Sequence, residues 1–375
     1  MTDRWRWRGN VALVGVALAF FLYPLLPNVD VISSDWPAFD TGARLIVSNP
    51  SHLYDLNVQR RVETDVTGGR VLVSLGIQGI LPFLAPAYVA LIAVPFDPFG
   101  PNIGGRLWML FGLACMLAGF YLANRGRSPT EFLPAFASVP TALVMVNAQI
   151  DGLVVLGVGA AIALWPRRYL VGLALGLTLV KPHLMLALGV ALLMLIAKEW
   201  RVIAGWATSG LALMAATLAL NPRWVFDWLG QTRATVQTGA REVDLPHWAV
   251  LLPDRYQGLG IAVLTAITLA AVLWLASLKR GQDMRPPMAI LLAGGVLAAP
   301  HALPTDMVLV AMAMLIWMRA RWYEWLALSA VAVIAALAAA PVPAVIGPLA
   351  IAWVCVRIAG LVTWPSPGPA AATAR

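Results

Sequence analysis

The apolar segment from residue 11 to residue 26 reads VALVGVALAFFLYPLL, and three arginines, Arg4, Arg6 and Arg8, precede it. A basic start followed by an apolar run is typical of a secretory signal peptide and also of a first membrane anchor. No small-x-small cleavage site follows this run, and about 16 apolar residues approach the length of a full crossing. We therefore expect a retained first helix whose N-terminus lies in the cytoplasm.

The composition of the chain agrees with this expectation. Of its 375 residues 60% are hydrophobic and 12% are charged, and the mean hydropathy is +0.79. A soluble domain is nearer half apolar, so the sequence predicts a polytopic membrane protein. The net charge of +8 comes from Lys and Arg in short clusters between apolar runs, which indicates topology signals and excludes a nucleic-acid partner. Cys115 and Cys355 lie within apolar runs, so neither a disulfide framework nor a metal knuckle is expected.

Twelve further apolar runs follow the first, and they predict an all-α fold of about 12 transmembrane helices, because the topology discussed below removes one crossing. They cover residues 81–96, 107–123, 132–146, 152–165, 169–180, 184–197, 202–220, 259–278, 288–299, 307–318, 325–340 and 345–361. We expect a single multi-pass domain over residues 1–362, with outer loops at 28–79 and 221–258 and a disordered tail at 363–375.

Basic residues give the orientation of these helices. They lie in the turns at 125–127, 167–168, 198–201, 279–285 and 319–321. The positive-inside rule places those turns, and both termini, in the cytoplasm. The two outer loops and the polar turns at 147–151, 181–183 and 300–306 then lie on the outer face of the cytoplasmic membrane.

One stretch disturbs this topology. An even number of crossings must separate the N-terminus from a cytoplasmic Arg125, yet three runs precede that residue. Either residues 81–96, which contain three prolines, enter the membrane and return to the same face, or residues 169–197 form one kinked crossing. We favour the first alternative, because proline-interrupted backbone is tolerated at membrane depth where protein buries it.

Charged side chains near the membrane interior mark the candidate site. Asp151, Lys181, His183, His301 and Asp306 all map to the outer face, where they need partners or a wet cavity. Together with Asp35 and Asp40 of the first outer loop they would form a polar basin for a polar group delivered on a lipid.

Structural alternatives remain open for several of these residues. Asp151 and Asp306 could cap the helices that follow them. Lys181 could extend its ammonium to the membrane interface. His301 could be a loop histidine, and Asp35 could be a solvated acid.

Four motifs in order along the chain resemble glycosyltransferase family 87. The motifs are Asp35-Trp36-x-x-Phe39-x-x-Gly42-Ala43-Arg44 followed by Leu53-Tyr54-Asp55, then Leu81-Pro82-Phe83-x-x-Pro86 with Val94-Pro95, then Asn147-Ala148-Gln149-Ile150-Asp151, and finally Lys181-Pro182 with Pro300-His301 and Asp306. The third motif departs from the Gly-Gln-x-Asn turn of the family in Asn147-Ala148-Gln149, where the family has Gly-Gln, and at Asp151, where the family has Asn. The resemblance implies a C-type glycosyltransferase fold with a long first outer loop, and an enzyme that uses a polyprenyl-phosphate sugar.

The resemblance also implies roles for individual residues. Asp35 would be the catalytic base that deprotonates an acceptor hydroxyl. Lys181, Arg44 and His301 are candidates to stabilise the departing phosphate. The substrate-binding set that we infer comprises Asp40, Arg44, Tyr54, Gln149, Asp151, Lys181, His183, His301 and Asp306. The donor sugar that we favour is mannose, and the acceptor would be a lipid or a glycan.

Cofactors and competing functions complete the interpretation. No cofactor and no metal-ligand cluster is evident, and dependence on a divalent metal stays open. The chain has no Gly-x-Gly-x-x-Gly or P-loop motif for a nucleotide-sugar donor. The main alternative is a transporter or flippase of a polyprenyl-linked sugar or another amphiphile. A carrier, however, should have polar residues on its cytoplasmic half-helices too. A scaffold subunit of an envelope assembly is a further alternative.

Overall fold

A computed structural model describes residues 3–70, 80–194, 196–237, 248–279, 281, 283–318, 320–338 and 341–362. Helices and no strands make up the regular structure of these residues. The predicted tail at 363–375, and parts of both predicted outer loops at 71–79 and 238–247, lie outside the described residues. The α-helices are α1 Asp3–Leu22, α2 Trp36–Ser48, α3 Leu56–Thr67, α4 Ala87–Ala93, α5 Gly100–Ala123, α6 Leu133–Phe136, α7 Val139–Val146, α8 Asp151–Ala163, α9 Arg168–Leu175, α10 Leu186–Met194, α11 Ile196–Leu218, α12 Trp224–Gln237, α13 Asp254–Ser277, α14 Arg285–Ala298, α15 Met307–Ala313, α16 Trp322–Leu337 and α17 Val342–Ala359.

Five helical stretches within the described chain are long and apolar enough to cross a membrane. They are Trp7–Leu25, Ala87–Ala123, Lys198–Leu218, Asp254–Ser277 and Val342–Ala359. Other predicted crossings form shorter helices. The run at 132–146 is divided into α6 and α7, because a proline stands at the start of each helix. The run at 307–318 is α15 followed by a π-helical turn at Met314–Met318. The structure therefore supports an all-helical membrane protein with fewer full-length spans than the predicted 12.

Glycines allow the central helices α5 and α8 to pack backbone against backbone. A Cβ atom added at Gly159 would collide with the carbonyl oxygen of Gly119, and one added at Gly152 would collide with that of Gly112. Small residues at such crossings are typical of helix association in membranes, where close van der Waals contact replaces the hydrophobic effect. This close contact fixes the N-terminus of α8, which carries Asp151, against α5.

The helices around this pair have one basic end and one polar end. At the basic end, Arg127 donates hydrogen bonds to the carbonyls of Leu315 and Ile316 at 2.8 and 2.9 Å, and Arg285 donates to the carbonyl of Arg125 at 3.4 Å. The opposite ends of α8, α9, α14 and α15 lead to the turns at 147–151, 181–183 and 299–306. The polar turns thus lie one helix length away from the basic residues.

The proline-rich segment after the first outer loop contains only a short helix. Helix α4 has seven residues, and a 3₁₀ turn at Val94–Phe99 follows it. The chain then reverses at Gly100, whose φ of +75° favours glycine. This reversal packs the Phe96 ring 5.4 Å from the Trp108 ring, measured between centroids. Helix α4 alone is too short to cross a bilayer, so a crossing within Ala87–Ala123 would be formed mainly by α5.

Candidate active site

Asp35 stands at the N-terminus of α2, and the turn before α8 holds it there. Its backbone N–H donates to the carbonyl of Asn147 at 3.1 Å, and the side-chain amide of Gln149 donates to its Oδ2 atom. Ala148 between them has a φ of +51°, in the left-handed region. The indole N–H of Trp108 donates to the Ala148 carbonyl at 2.8 Å and supports this unusual turn. A residue of the first outer loop is thereby fixed against the middle of the chain.

The environment of Asp35 suits proton transfer. Its carboxylate is half-buried, and this burial raises its pKa to about 6, although the Gln149 hydrogen bond and the nearby Lys181 charge oppose the increase. At neutral pH the group is therefore mainly a carboxylate, yet it is a stronger base than an exposed aspartate. A base whose pKa lies near the working pH is effective in general acid–base catalysis.

Beneath Asp35, one ammonium joins two buried carboxylates. Lys181 Nζ lies 2.8 Å from Asp151 Oδ2 and 2.6 Å from Asp306 Oδ1. Asp151 and Asp306 are 0% exposed, and Lys181 is 7% exposed. Lys181 therefore does not extend to the membrane interface. Asp151 accepts from Lys181 and does not cap α8, so both structural alternatives for these two residues are wrong.

The capping alternative for Asp306 is partly right. This residue stands at the N-cap position of α15, but its side chain makes no cap hydrogen bond to that helix. Its Oδ2 atom instead accepts from the backbone N–H of Leu303 at 2.6 Å and closes the 3₁₀ turn at Pro304–Asp306. The carboxylate thus fixes the loop that leads back to His301.

The two histidines of the candidate set are neighbours. The rings of His183 and His301 have their centroids 5.8 Å apart. His183 is half-buried and His301 is exposed. The pair comes from distant parts of the chain, and the Lys181–Asp306 ion pair lies beside it. The structure therefore brings together Asp35, Gln149, Asp151, Lys181, His183, His301 and Asp306.

Three residues of the predicted set lie apart from this cluster. Asp40 is fully buried and lies 3.2 Å from Arg44 Nη2, while Arg44 Nε lies 3.0 Å from Asp97 Oδ1. Burial raises the pKa of Asp40 to about 7, against the opposing charge of Arg44. The hydroxyl of Tyr54 donates to the Ala85 carbonyl at 2.9 Å. Asp40, Arg44 and Tyr54 therefore join the first outer loop to residues 85–97, and these contacts lie outside the cluster around Lys181.

Sequence reasoning missed the residues that anchor the Leu81-Pro82-Phe83 segment. The side chain of Gln59 accepts from the Phe83 N–H at 2.9 Å, and Glu63 Oε1 accepts from the Leu81 N–H at 2.8 Å. Both side chains are buried, at 0% and 3% exposure. Their spacing of four residues on α3 puts them on one helical face, and that pattern could have identified them.

No group of three or more His, Cys, Asp or Glu side chains able to hold a metal ion occurs among the described residues. The model of glycosyltransferase family 87 matches residues 83–304, which is more than half of the chain. The matched region includes Gln149, Asp151, Lys181, His183 and His301, whereas Asp35 precedes it and Asp306 follows it. No match was found among curated proteins or among solved structures.

Proposed function

Because this chain belongs to glycosyltransferase family 87, and is therefore a membrane glycosyltransferase, we propose that its donor is a polyprenyl-phosphate sugar, with mannose favoured. The acceptor is a hydroxyl of a lipid or a glycan. The reaction takes place on the outer face of the cytoplasmic membrane. The observation that carries this proposal is the half-buried Asp35 carboxylate, which Gln149 holds beside a buried ion-pair cluster.

The chemistry assigned to Asp35 is general-base catalysis. Its carboxylate accepts the proton of the acceptor hydroxyl while the acceptor oxygen bonds to the anomeric carbon of the sugar. The bond between that carbon and the phosphate oxygen breaks, and the polyprenyl phosphate leaves with the bonding electrons. The donor is already activated, so the protein must supply a base, a fixed geometry and stabilisation of the departing phosphate.

His301 and His183 are the proposed partners of that phosphate. They lie on the same side of the cluster, and His301 is exposed to an incoming ligand. An imidazole N–H can donate a hydrogen bond to a phosphate oxygen in either its neutral or its charged form. The bond strengthens as negative charge develops on the leaving group, which favours the transition state over the bound donor.

The outward orientation of the site rests on the separation of charges. The basic residues Arg125, Arg127 and Arg285 lie together at the end of the helices remote from Asp35. Basic residues mark the cytoplasmic side of membrane proteins, so the opposite end faces outward. A lipid-linked donor presented at the outer leaflet would then meet the polar turns directly.

The test measures sugar transfer from a set of candidate donors. Purified protein in lipid vesicles is incubated with radiolabelled polyprenyl-phosphate sugars, mannose and arabinose included, together with a membrane extract as acceptor. Label should leave the donor with the parent protein and not with Asp35→Asn. The matched control is Glu324→Gln, which loses a buried ion pair with Arg357 at 3.5 Å in a different part of the fold and should keep transfer. Movement of intact donor across the vesicle membrane without label transfer would favour the transporter.

A further inference from the structure

Lys181 is a buried cation whose ammonium contacts two carboxylates that are themselves buried. It follows a 3₁₀ turn at Gly176–Val180 and reaches two carboxylate oxygens at 2.8 and 2.6 Å. Two of its three ammonium protons are therefore engaged. With all three groups ionised, the Asp151–Lys181–Asp306 cluster has one positive and two negative charges. Such a cluster does not attract a phosphate, because its negative charges outnumber its ammonium.

Each of the two carboxylates belongs to a different part of the site. Asp151 lies two residues after Gln149, whose amide holds Asp35. Asp306 accepts from the Leu303 N–H at 2.6 Å and so closes the turn that follows His301. One ammonium therefore connects the turn that fixes the base with the turn that presents the histidine.

We propose that Lys181 is a positioning residue that holds these two turns in register and that it does not bind the lipid phosphate. The inference rests on the proposed function, in which one turn positions the catalytic base and the other presents the histidine that binds the donor phosphate. It replaces the expectation that Lys181 offsets phosphate charge, since Asp151 and Asp306 already offset its own charge. The relative position of the two turns affects the rate, because a misplacement of the reacting groups by about 1 Å can lower the rate by a factor on the order of a hundred.

A second set of contacts fixes the turn that carries Lys181. The hydroxyl of Tyr88 in α4 donates to the carbonyl of Leu179 at 2.7 Å. The Trp224 ring packs edge-on against Tyr88, with centroids 5.9 Å apart. The backbone two residues before Lys181 is therefore held from the side of α4 and α12, while its ammonium is held by α8 and the 3₁₀ turn before α15. Because both its backbone and its ammonium group are held, Lys181 can fix the relative positions of the elements that it joins.

The kinetic test compares three neutral variants in the transfer assay. Asp151→Asn weakens the link between Lys181 and the turn that holds Asp35. It should lower kcat by a factor on the order of ten, with the donor KM close to that of the parent protein. Asp306→Asn weakens the link between Lys181 and the turn that follows His301, and it should mainly raise the donor KM. Lys181→Met keeps the length of the stem and should change both constants. The inference is overturned if Lys181→Met raises the donor KM alone while both asparagine variants behave like the parent.

The second test measures thermal unfolding and does not depend on activity. Lys181→Met leaves two buried carboxylates without a cation and should lower Tm more than either asparagine variant. The triple variant Asp151→Asn, Lys181→Met, Asp306→Asn removes all three charges of the cluster and should recover most of that loss. Equal Tm values for Lys181→Met and the triple variant would refute the charge coupling. If the parent protein transferred no sugar from any donor, the proposed function would fail, and these Tm values would still decide whether the three residues act as one unit.

Discussion

Replacing Gln149 by leucine should change the pH dependence of transfer in a defined direction. In the parent protein the pKa of Asp35 is raised to about 6 by burial, and the Gln149 hydrogen bond limits that increase. A hydrogen bond to a charged group contributes about 1.5–3 kcal/mol, and about 1.4 kcal/mol corresponds to one pH unit. Without Gln149 the acid limb of kcat/KM should therefore move upward by roughly one to two pH units.

The sign follows from the protonation state that reacts. Only ionised Asp35 accepts the proton of the acceptor, so activity is lost as the pH falls through its pKa. At pH 6 about half of the Asp35 side chains are ionised in the parent protein, whereas about a tenth or less should be ionised in Gln149→Leu. At pH 9 the rates of the two proteins should nearly converge, apart from a constant factor for lost positioning of the carboxylate.

The assay is release of radiolabelled sugar from the polyprenyl-phosphate donor between pH 5 and pH 9, with Glu324→Gln as the control for a lost buried contact. The control should keep the parental acid limb. An acid limb that stays at the parental pH in Gln149→Leu, with a uniform drop in rate, would refute the reasoning. The hydrogen bond would then be structural only, or the titrating base would be a different group.

The remaining predictions concern stability, packing and topology. Burial raises the pKa of Glu63 from 4.5 to about 7, so its contribution to stability is present below pH 4.5 and is lost as the pH rises to about 7. Glu63→Gln should therefore reduce the difference between the Tm values at pH 5 and pH 8. An unchanged difference would contradict this prediction. Gly159→Val should destabilise the protein by about 1–3 kcal/mol or more, whereas Gly189→Ala, with open space around its Cβ, should be nearly neutral in the same unfolding measurement. An impermeant thiol reagent should label Asn57→Cys and not Arg167→Cys in intact cells, because the positive-inside rule places the basic turns in the cytoplasm. The reverse labelling would mean that the topology is inverted.

The fold was predictable from the sequence as far as hydropathy determines it. The apolar runs predicted an all-helical membrane protein, and the described structure is all-helical with several candidate spans. The count of 12 crossings stays a prediction, because an apolar run indicates burial and does not require one unbroken helix. Residues 132–146 are apolar throughout, yet Pro134 and Pro140 start two separate helices within them.

The candidate site was predictable in its polar turns and not in its pairings. The high cost of a lone charge near the membrane interior correctly required partners for Lys181. Those partners could not be identified from the sequence, because Asp151 and Asp306 lie 30 and 125 positions away in the chain. In the first outer loop, a shared motif did not predict a shared location. Asp40 and Arg44 share a motif with Asp35, but on helix α2 they form a separate cluster in which Arg44 pairs with both Asp40 and Asp97.

The most direct test of the central claim is single-turnover release of sugar from a polyprenyl-phosphate donor by Asp35→Asn, beside Asp40→Asn. The asparagine keeps the shape of Asp35 and removes its basicity, so release should fall by a factor on the order of a hundred or more. Asp40 lies outside the cluster, and Asp40→Asn should release label at a rate nearer to that of the parent protein. Near-parental release by Asp35→Asn, together with an inactive Asp40→Asn, would contradict the assignment of Asp35 as the base.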